Sequence, residues 1–273
     1  MLIEIIILTI SFVFSTLITG LFPIGYGLHY WIPLVFLIPG YLVGVALMWI
    51  TLSIFAAPFS KKKIYDKPSS WALFWLQEAL KYIDIHAGVD LHIEGEVPFP
   101  VEKFMIISNH RSKFDPMILA ALYGKKHKLA FISKPTNFKI PVGGRFMAGS
   151  CYLAIDRYDK IKSLETINKA IKLIKEDKSS IGVFPEGTRS ENNEMGPFHE
   201  GVFSIAKHTN APIIITSFMG TENIHKNFPF KRTKVTLKII EILYPENYQD
   251  MIVKEISDYC YEKMKASLTD IKA

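Results

Sequence analysis

The sequence predicts an α/β protein: a mixed, largely parallel sheet flanked by helices, with an N-terminal membrane-embedded helical hairpin. Three observations lead there. From Ile5 to Ser60 there is no Asp, Glu, Lys or Arg. From residue 89 onward, short apolar runs alternate with helical patterns, as strands covered by helices do. Two charged clusters, "NHRSKFD" (109–115) and "FPEGTRS" (184–190), each stand directly after an apolar run, and open parallel sheets place their chemistry at such strand ends. The expected organisation is a hairpin over 1–60, an interfacial helix or linker over 61–88, and an α/β domain over 89–273.

The elements follow in order. "IIILTISFVFSTLITGLF" has no basic region before it and no small-x-small cleavage site near its end, so it reads as a retained segment and not a removed signal peptide. "FPIGYGLHY" (22–30) punctuates the chain with Pro23, Gly25 and Gly27. "WIPLVFLIPGYLVGVALMWITLSIFAAPF" (31–59) is a second run, and each run is long enough to supply the roughly 20 apolar residues of a membrane helix. Lys61, Lys62 and Lys63 follow, which places that end on the cytoplasmic side. A spanning hairpin and a re-entrant one, the latter favoured by Pro33 and Pro39, give the same sidedness. "PSSWALFWLQEALKYIDI" (68–85) predicts a helix capped by Ser69 or Ser70, with Trp71, Phe74, Trp75 and Ala79 on one side. That side suits either the headgroup level of a membrane or packing on the main domain.

Strands are expected at "VDLHIEG" (89–95), "FMIIS" (104–108), "LAFISK" (129–134), "CYLAID" (151–156), "SIGVF" (180–184), "PIIITSF" (212–218) and "TKVTLKIIEIL" (233–243). Helices are expected at "PMILAALYG" (116–124), ending at Gly124, at "FSIAKHTN" (203–210), and at 251–271. The clearest is 160–177, where Ile161, Leu164, Ile167, Ile171 and Ile174 recur at helical spacing against a lysine-rich face.

The chain carries 32 Lys and Arg against 26 Asp and Glu, a formal net charge of +6. Only Glu4 is charged before Lys61, so the excess lies in the globular part. A basic domain behind an apolar segment suits an anionic membrane surface or an anionic substrate. No zinc-finger spacing, RNP strand or arginine-rich arm is present, so a nucleic-acid partner is not expected. Cys151 and Cys260 are far apart and form no CxxC, which suits a reducing compartment and no cysteine metal site.

In "NHRSKFD", a histidine at a strand end can take a proton when a carboxylate five residues on fixes its tautomer. His110 and Asp115 are that pair, and the surroundings hold no P-loop, HExxH or GxSxG. Taken alone, the pair is equally a loop residue and a helix cap. In "FPEGTRS", Pro185 and Gly187 turn the chain and expose Glu186, Thr188 and Arg189, with Arg suited to bidentate phosphate binding.

These two blocks, with "GGRFMAGSCYLAIDR" (143–157) and "APIIITSF" (211–218), resemble the four ordered blocks of the glycerophospholipid acyltransferases. The likeness is greatest to the 1-acyl-sn-glycerol-3-phosphate branch, and Asp instead of Glu at 115 argues against the lipid A branch. The resemblance implies that His110 is the general base, Asp115 its partner and Lys134 the oxyanion stabiliser. Arg157, Glu186, Gly187, Thr188 and Arg189 would form the acceptor site. It implies no metal and no resident cofactor, because the thioester, acyl-CoA or acyl carrier protein, is a co-substrate. The partners implied are lysophosphatidic acid, that donor and a phospholipid membrane, with the active domain on the cytoplasmic side. The basic residues Arg111, Lys113, Lys125, Lys126 and Lys128 suit an acidic carrier, an anionic lipid or simply a solvated face. Glycerol-3-phosphate or a lysophospholipid as acceptor, a thioesterase or lipase, and a non-catalytic lipid-binding protein are the alternatives.

Overall fold

The computed structural model describes residues 2–20, 32–96, 103–190 and 194–269. The chain divides into two compact units, Met1–Phe59 and Ser60–Ala273. In the first, α1 (Leu2–Gly20) packs on α2 (Ile32–Ala56); the turn expected at 22–30 lies outside the described residues. Ile3, Ile7, Ser11 and Ser15 form a buried stripe on α1 at four-residue spacing. Gly40 and Gly44 face it from α2. A Cβ at Gly40 would lie 2.8 Å from the Ser11 carbonyl oxygen, and one at Gly44 would lie 3.0 Å from that of Ile7. Small residues four apart let two helix backbones approach this closely. Ser11 Oγ also donates to the Leu37 carbonyl at 2.8 Å. The outward faces carry exposed Phe12, Leu17, Val35, Ile38 and Trp49. Both helices are long and apolar enough to cross a membrane, and only 22% and 17% of their apolar windows are buried, unlike core helices of a soluble domain.

The second unit is built on seven strands among the described residues: β1 (Val89–Glu94), β2 (Met105–Ser108), β3 (Ala130–Ser133), β4 (Leu153–Ala154), β5 (Ile181–Val183), β6 (Ile213–Met219) and β7 (Thr233–Leu243). Their order is β1-β7-β6-β2-β5-β3-β4. Every pair is parallel except β6–β7. The sheet is therefore the mixed, largely parallel one expected. The carboxyl ends of β6, β2, β5, β3 and β4 share one edge.

Helices cover both faces: α3 (Ser70–His86), α4 (Phe114–His127), α5 (Gly143–Gly149), α6 (Lys160–Lys175), α7 (Ser204–Thr209), α8 (Ile224–Asn227) and α9 (Val253–Thr269). Alternation along β2 sends Met105 and Ile107 into one core, with Leu173 of α6 and Ile256 and Met264 of α9. Ile106 points into the other, with Ile118 and Tyr123 of α4. A central strand buried on both faces explains why "FMIIS" reads as an unbroken apolar run.

Several boundaries differ from the sequence reading. α4 runs past Gly124 to His127 and closes at Lys128, whose φ of 50° ends the helix. Gly124 is an ordinary helical position, where an added Cβ would meet nothing. "CYLAID" shrinks to a two-residue edge strand, and the preceding "GGRFMAG" is the helix α5. Ser69 caps α3, its Oγ accepting from Ala72 N–H at 3.4 Å. The helix buries Ala72, Leu73, Trp75, Leu76 and Asp84 while Trp71 stays exposed. The segment 61–88 falls within the second compact unit, Ser60–Ala273.

Candidate active site

β2 and β5 are neighbours, with Ile107 opposite Val183. Their carboxyl ends release "NHRSKFD" and "FPEGTRS" side by side, although the motifs lie 76 residues apart. Asn109 fixes the exit of β2. Its fully buried amide donates to the Phe218 carbonyl at 3.1 Å and accepts from the Phe218 N–H at 2.7 Å. That pair of bonds continues the β2–β6 ladder beyond its last strand residue.

Asp115 lies in the first turn of α4, where a carboxylate meets the positive end of the helix. It is completely buried. Its Oδ2 accepts the backbone N–H groups of Arg111 and Ser112, both at 2.7 Å, and faces His110 Nδ1 at 2.9 Å. An acceptor-only oxygen there assigns the proton to Nδ1 and leaves the lone pair on Nε2. The His110 side chain keeps 20% of its surface exposed, which is the exposure needed to meet a substrate proton.

The second motif holds the first. The buried Glu186 accepts the His110 N–H at Oε1 (2.7 Å), and at Oε2 the Ser190 hydroxyl and the Gly196 N–H (both 2.8 Å). Ser190 N–H donates to the His110 carbonyl at 2.6 Å, and its hydroxyl, also 3.0 Å from that carbonyl, shares its one proton between that oxygen and Glu186. Phe184 lies against the imidazole, ring centres 4.6 Å apart, and stacks on Phe131. Gly182 makes room for this stack, since a Cβ there would come 2.3 Å from the Phe131 ring.

Gly187 sits at φ 71°, and a Cβ would also lie 2.9 Å from His199 Nε2 and 3.2 Å from Arg157 Cζ. The positive φ favours glycine, and the contacts show how closely the His199 and Arg157 side chains approach the turn. Arg157, at the end of the second block, therefore reaches this turn. Thr188 and Arg189 are exposed on it. Lys134 leaves the carboxyl end of β3, beside β5, and is exposed. No hydrogen bond joins it to His110 or Asp115. Arg111 is not a free cation, because its Nη1 pairs with Glu222 Oε1 at 3.1 Å.

The structure thus ties His110, Asp115 and Glu186 into one network and gathers Gly187, Thr188, Arg189 and Arg157 beside it. Sequence reasoning passed over Asn109 and Ser190, though both stood inside the quoted motifs. It had no signal for Glu222 or His199, which only the fold brings near.

Residues 90–218, which contain both motifs, match the Acyltransferase family model. The chain is 28% identical over 188 residues to 1-acyl-sn-glycerol-3-phosphate acyltransferase of Saccharomyces cerevisiae, covering 67% of this chain and 61% of that protein. It is 31% identical over 181 residues to the chloroplastic 1-acyl-sn-glycerol-3-phosphate acyltransferase BAT2 of Brassica napus, covering 66% of this chain and 51% of that one. The chain thus spans between half and two thirds of the length of these relatives. Its fold is similar to the crystal structure of the 1-acyl-sn-glycerophosphate (LPA) acyltransferase PlsC from Thermotoga maritima, with a TM-score of 0.60 and 25% identity over 74% of this chain and 80% of that one. Both strand-end motifs lie inside the region that matches the family model, and the fold is similar to that of the Thermotoga maritima acyltransferase.

Proposed function

We propose that this protein moves a fatty acyl group from a thioester, acyl-CoA or acyl carrier protein, to the sn-2 hydroxyl of 1-acyl-glycerol-3-phosphate, giving phosphatidic acid. The observation that carries the reading is the His110–Asp115 pair: a buried carboxylate holding Nδ1 and leaving Nε2 with its lone pair. Nε2 takes the proton of the acceptor hydroxyl as that oxygen attacks the thioester carbon. The tetrahedral oxyanion then collapses, the carbon–sulfur bond breaks, and the imidazolium returns the proton to the departing thiolate. General-base action of this kind contributes about 10²–10⁴-fold. Lys134, at the carboxyl end of β3, two strands from β2, is assigned to the oxyanion, where a cation opposes the developing charge. Arg157 and Arg189, with Gly187 and Thr188, are assigned to the acceptor phosphate, and Glu186 to holding His110 in place.

A cysteine nucleophile is disfavoured. Cys151 and Cys260 are buried, and burial pushes the Cys151 thiol up to about 12 and the Cys260 thiol upward as well, whereas a reactive thiol needs a low pKa. The reading calls for no metal or resident cofactor. In it the hairpin of residues 1–60 holds the enzyme in a phospholipid bilayer, with residues 61–273 on the cytoplasmic side.

The test is the purified full chain with labelled acyl-CoA and acyl carrier protein, each offered lysophosphatidic acid, glycerol-3-phosphate and lysophosphatidylcholine. Phosphatidic acid should be the main product. Preference for another acceptor, or thioester hydrolysis as the only reaction, would refute the assignment.

A further inference from the structure

We infer that His199 is a third ligand of the acceptor phosphate, completing a cradle of hydrogen-bond donors with Arg157 and Arg189; this rests on the function proposed above. Two hydrogen bonds lay the segment 196–199 along the "FPEGTRS" turn. Gly196 N–H reaches Glu186 Oε2 at 2.8 Å, and His199 N–H reaches the Pro185 carbonyl at 2.9 Å. The His199 ring then lies over Gly187. Its Nε2 and the Arg157 Cζ lie 2.9 and 3.2 Å from the same point, the position a Gly187 Cβ would take. An imidazole and a guanidinium therefore share one small surface, with Arg189 two residues along the same turn.

The charge balance of this surface points to an anion. Among the described residues, no carboxylate pairs with Arg157, Arg189 or His199, whereas Arg111 nearby has Glu222. Glu186 is the acid underneath, but its two oxygens already serve the His110 N–H, the Ser190 hydroxyl and the Gly196 N–H. Two guanidinium groups and an imidazole offer several donors to one ligand, and a phosphomonoester supplies the opposite charge and enough acceptor oxygens to meet them. The turn also anchors the His110 backbone, so an anion seated there lies beside the reacting hydroxyl. A side chain at Gly187 would press on the His199 ring and the Arg157 guanidinium that share this surface.

Phosphate chemistry could come from the acceptor or from the coenzyme A moiety of the donor, and the experiment separates them. Full-length wild type, His199→Ala and His199→Lys are compared with lysophosphatidic acid and, as a phosphate-free acceptor, monoacylglycerol. Each is run with acyl-CoA and with the acyl-pantetheine thioester. Alanine keeps the backbone N–H that tethers this segment, so the fold is retained. His199→Ala should raise the KM for lysophosphatidic acid about 10- to 150-fold, the range for one lost hydrogen bond to a charged group. The kcat, the donor KM and the monoacylglycerol KM should stay within about twofold. His199→Lys should recover most of the loss. An unchanged acceptor KM, or a rise confined to the acyl-CoA KM, overturns the inference. If wild type itself prefers monoacylglycerol, the proposed function fails, and this is read before any variant is compared.

Discussion

Glu186, expected from the sequence in the acceptor site, has both carboxylate oxygens engaged by protein donors in the fold. In the sequence it stands beside Arg189 on a turn and suggests the acceptor site. In the fold its carboxylate is buried and bonded to three protein donors, one of them the His110 N–H. Bonds from neutral donors to a carboxylate are worth about 1.5–3 kcal/mol each when broken. Glu186→Gln swaps one acceptor oxygen for an NH₂ donor, so at least one of these bonds becomes a donor facing a donor. The unfolding free energy should fall by about 1.5–3 kcal/mol, and kcat should drop more than the acceptor KM rises, because the catalytic backbone loosens. A rise in acceptor KM with unchanged kcat and stability would instead place Glu186 on the acceptor. By contrast, His110 and Asp115 were legible because both partners lie within one seven-residue motif, close enough for sequence spacing to report contact.

Among the elements, α3 carries the clearest disagreement with simple periodicity. Its expected face held Trp71, Phe74, Trp75 and Ala79; of these Trp75 is buried, together with Ala72, Leu73, Leu76 and Asp84, while Trp71 is exposed. Asp84 Oδ1 is buried with no hydrogen-bond partner among the described residues, and burial raises its pKa to about 7. An unfolded aspartate titrates near 3.9, so between about pH 4 and pH 7 the folded state holds a proton that the unfolded state has released. The stability contribution of the neutral carboxyl is therefore full below about pH 4 and is lost as pH rises through about 7. Asp84→Asn should raise the melting temperature at pH 8, with a gain of a few kcal/mol, and should change it little near pH 4. Thermal unfolding of the solubilised protein at the two pH values reads this directly. An equal effect at both would show that Asp84 is charged in the folded state. The strands were more legible than α3. β7 has its expected bounds because half-burial on a pleated surface leaves a period-two pattern over eleven residues. α5 escaped, and the strand expected at 151–156 shortened to the two-residue β4, since elements that short span too little of any period to register.

At the scale of the molecule, the apolar hairpin, the mixed sheet and the strand-end location of the motifs were all readable from composition and alternation. Strand order was not. Period-two patterning says which residues face a core but not which strand lies alongside. Only the adjacency of β2 and β5 turns two distant motifs into one network. The same holds for Gly40 and Gly44, whose four-residue spacing acquires meaning once Ser11 and Ile7 are seen against them. The account's central claim is that this network performs acyl transfer through His110 Nε2. The most direct test is the rate of phosphatidic acid formation from labelled acyl thioester and lysophosphatidic acid by purified wild type and His110→Ala, both confirmed as folded. The account predicts a loss of about 10²–10⁴-fold in kcat with the acceptor KM little changed. Turnover by His110→Ala within a few-fold of wild type would contradict it.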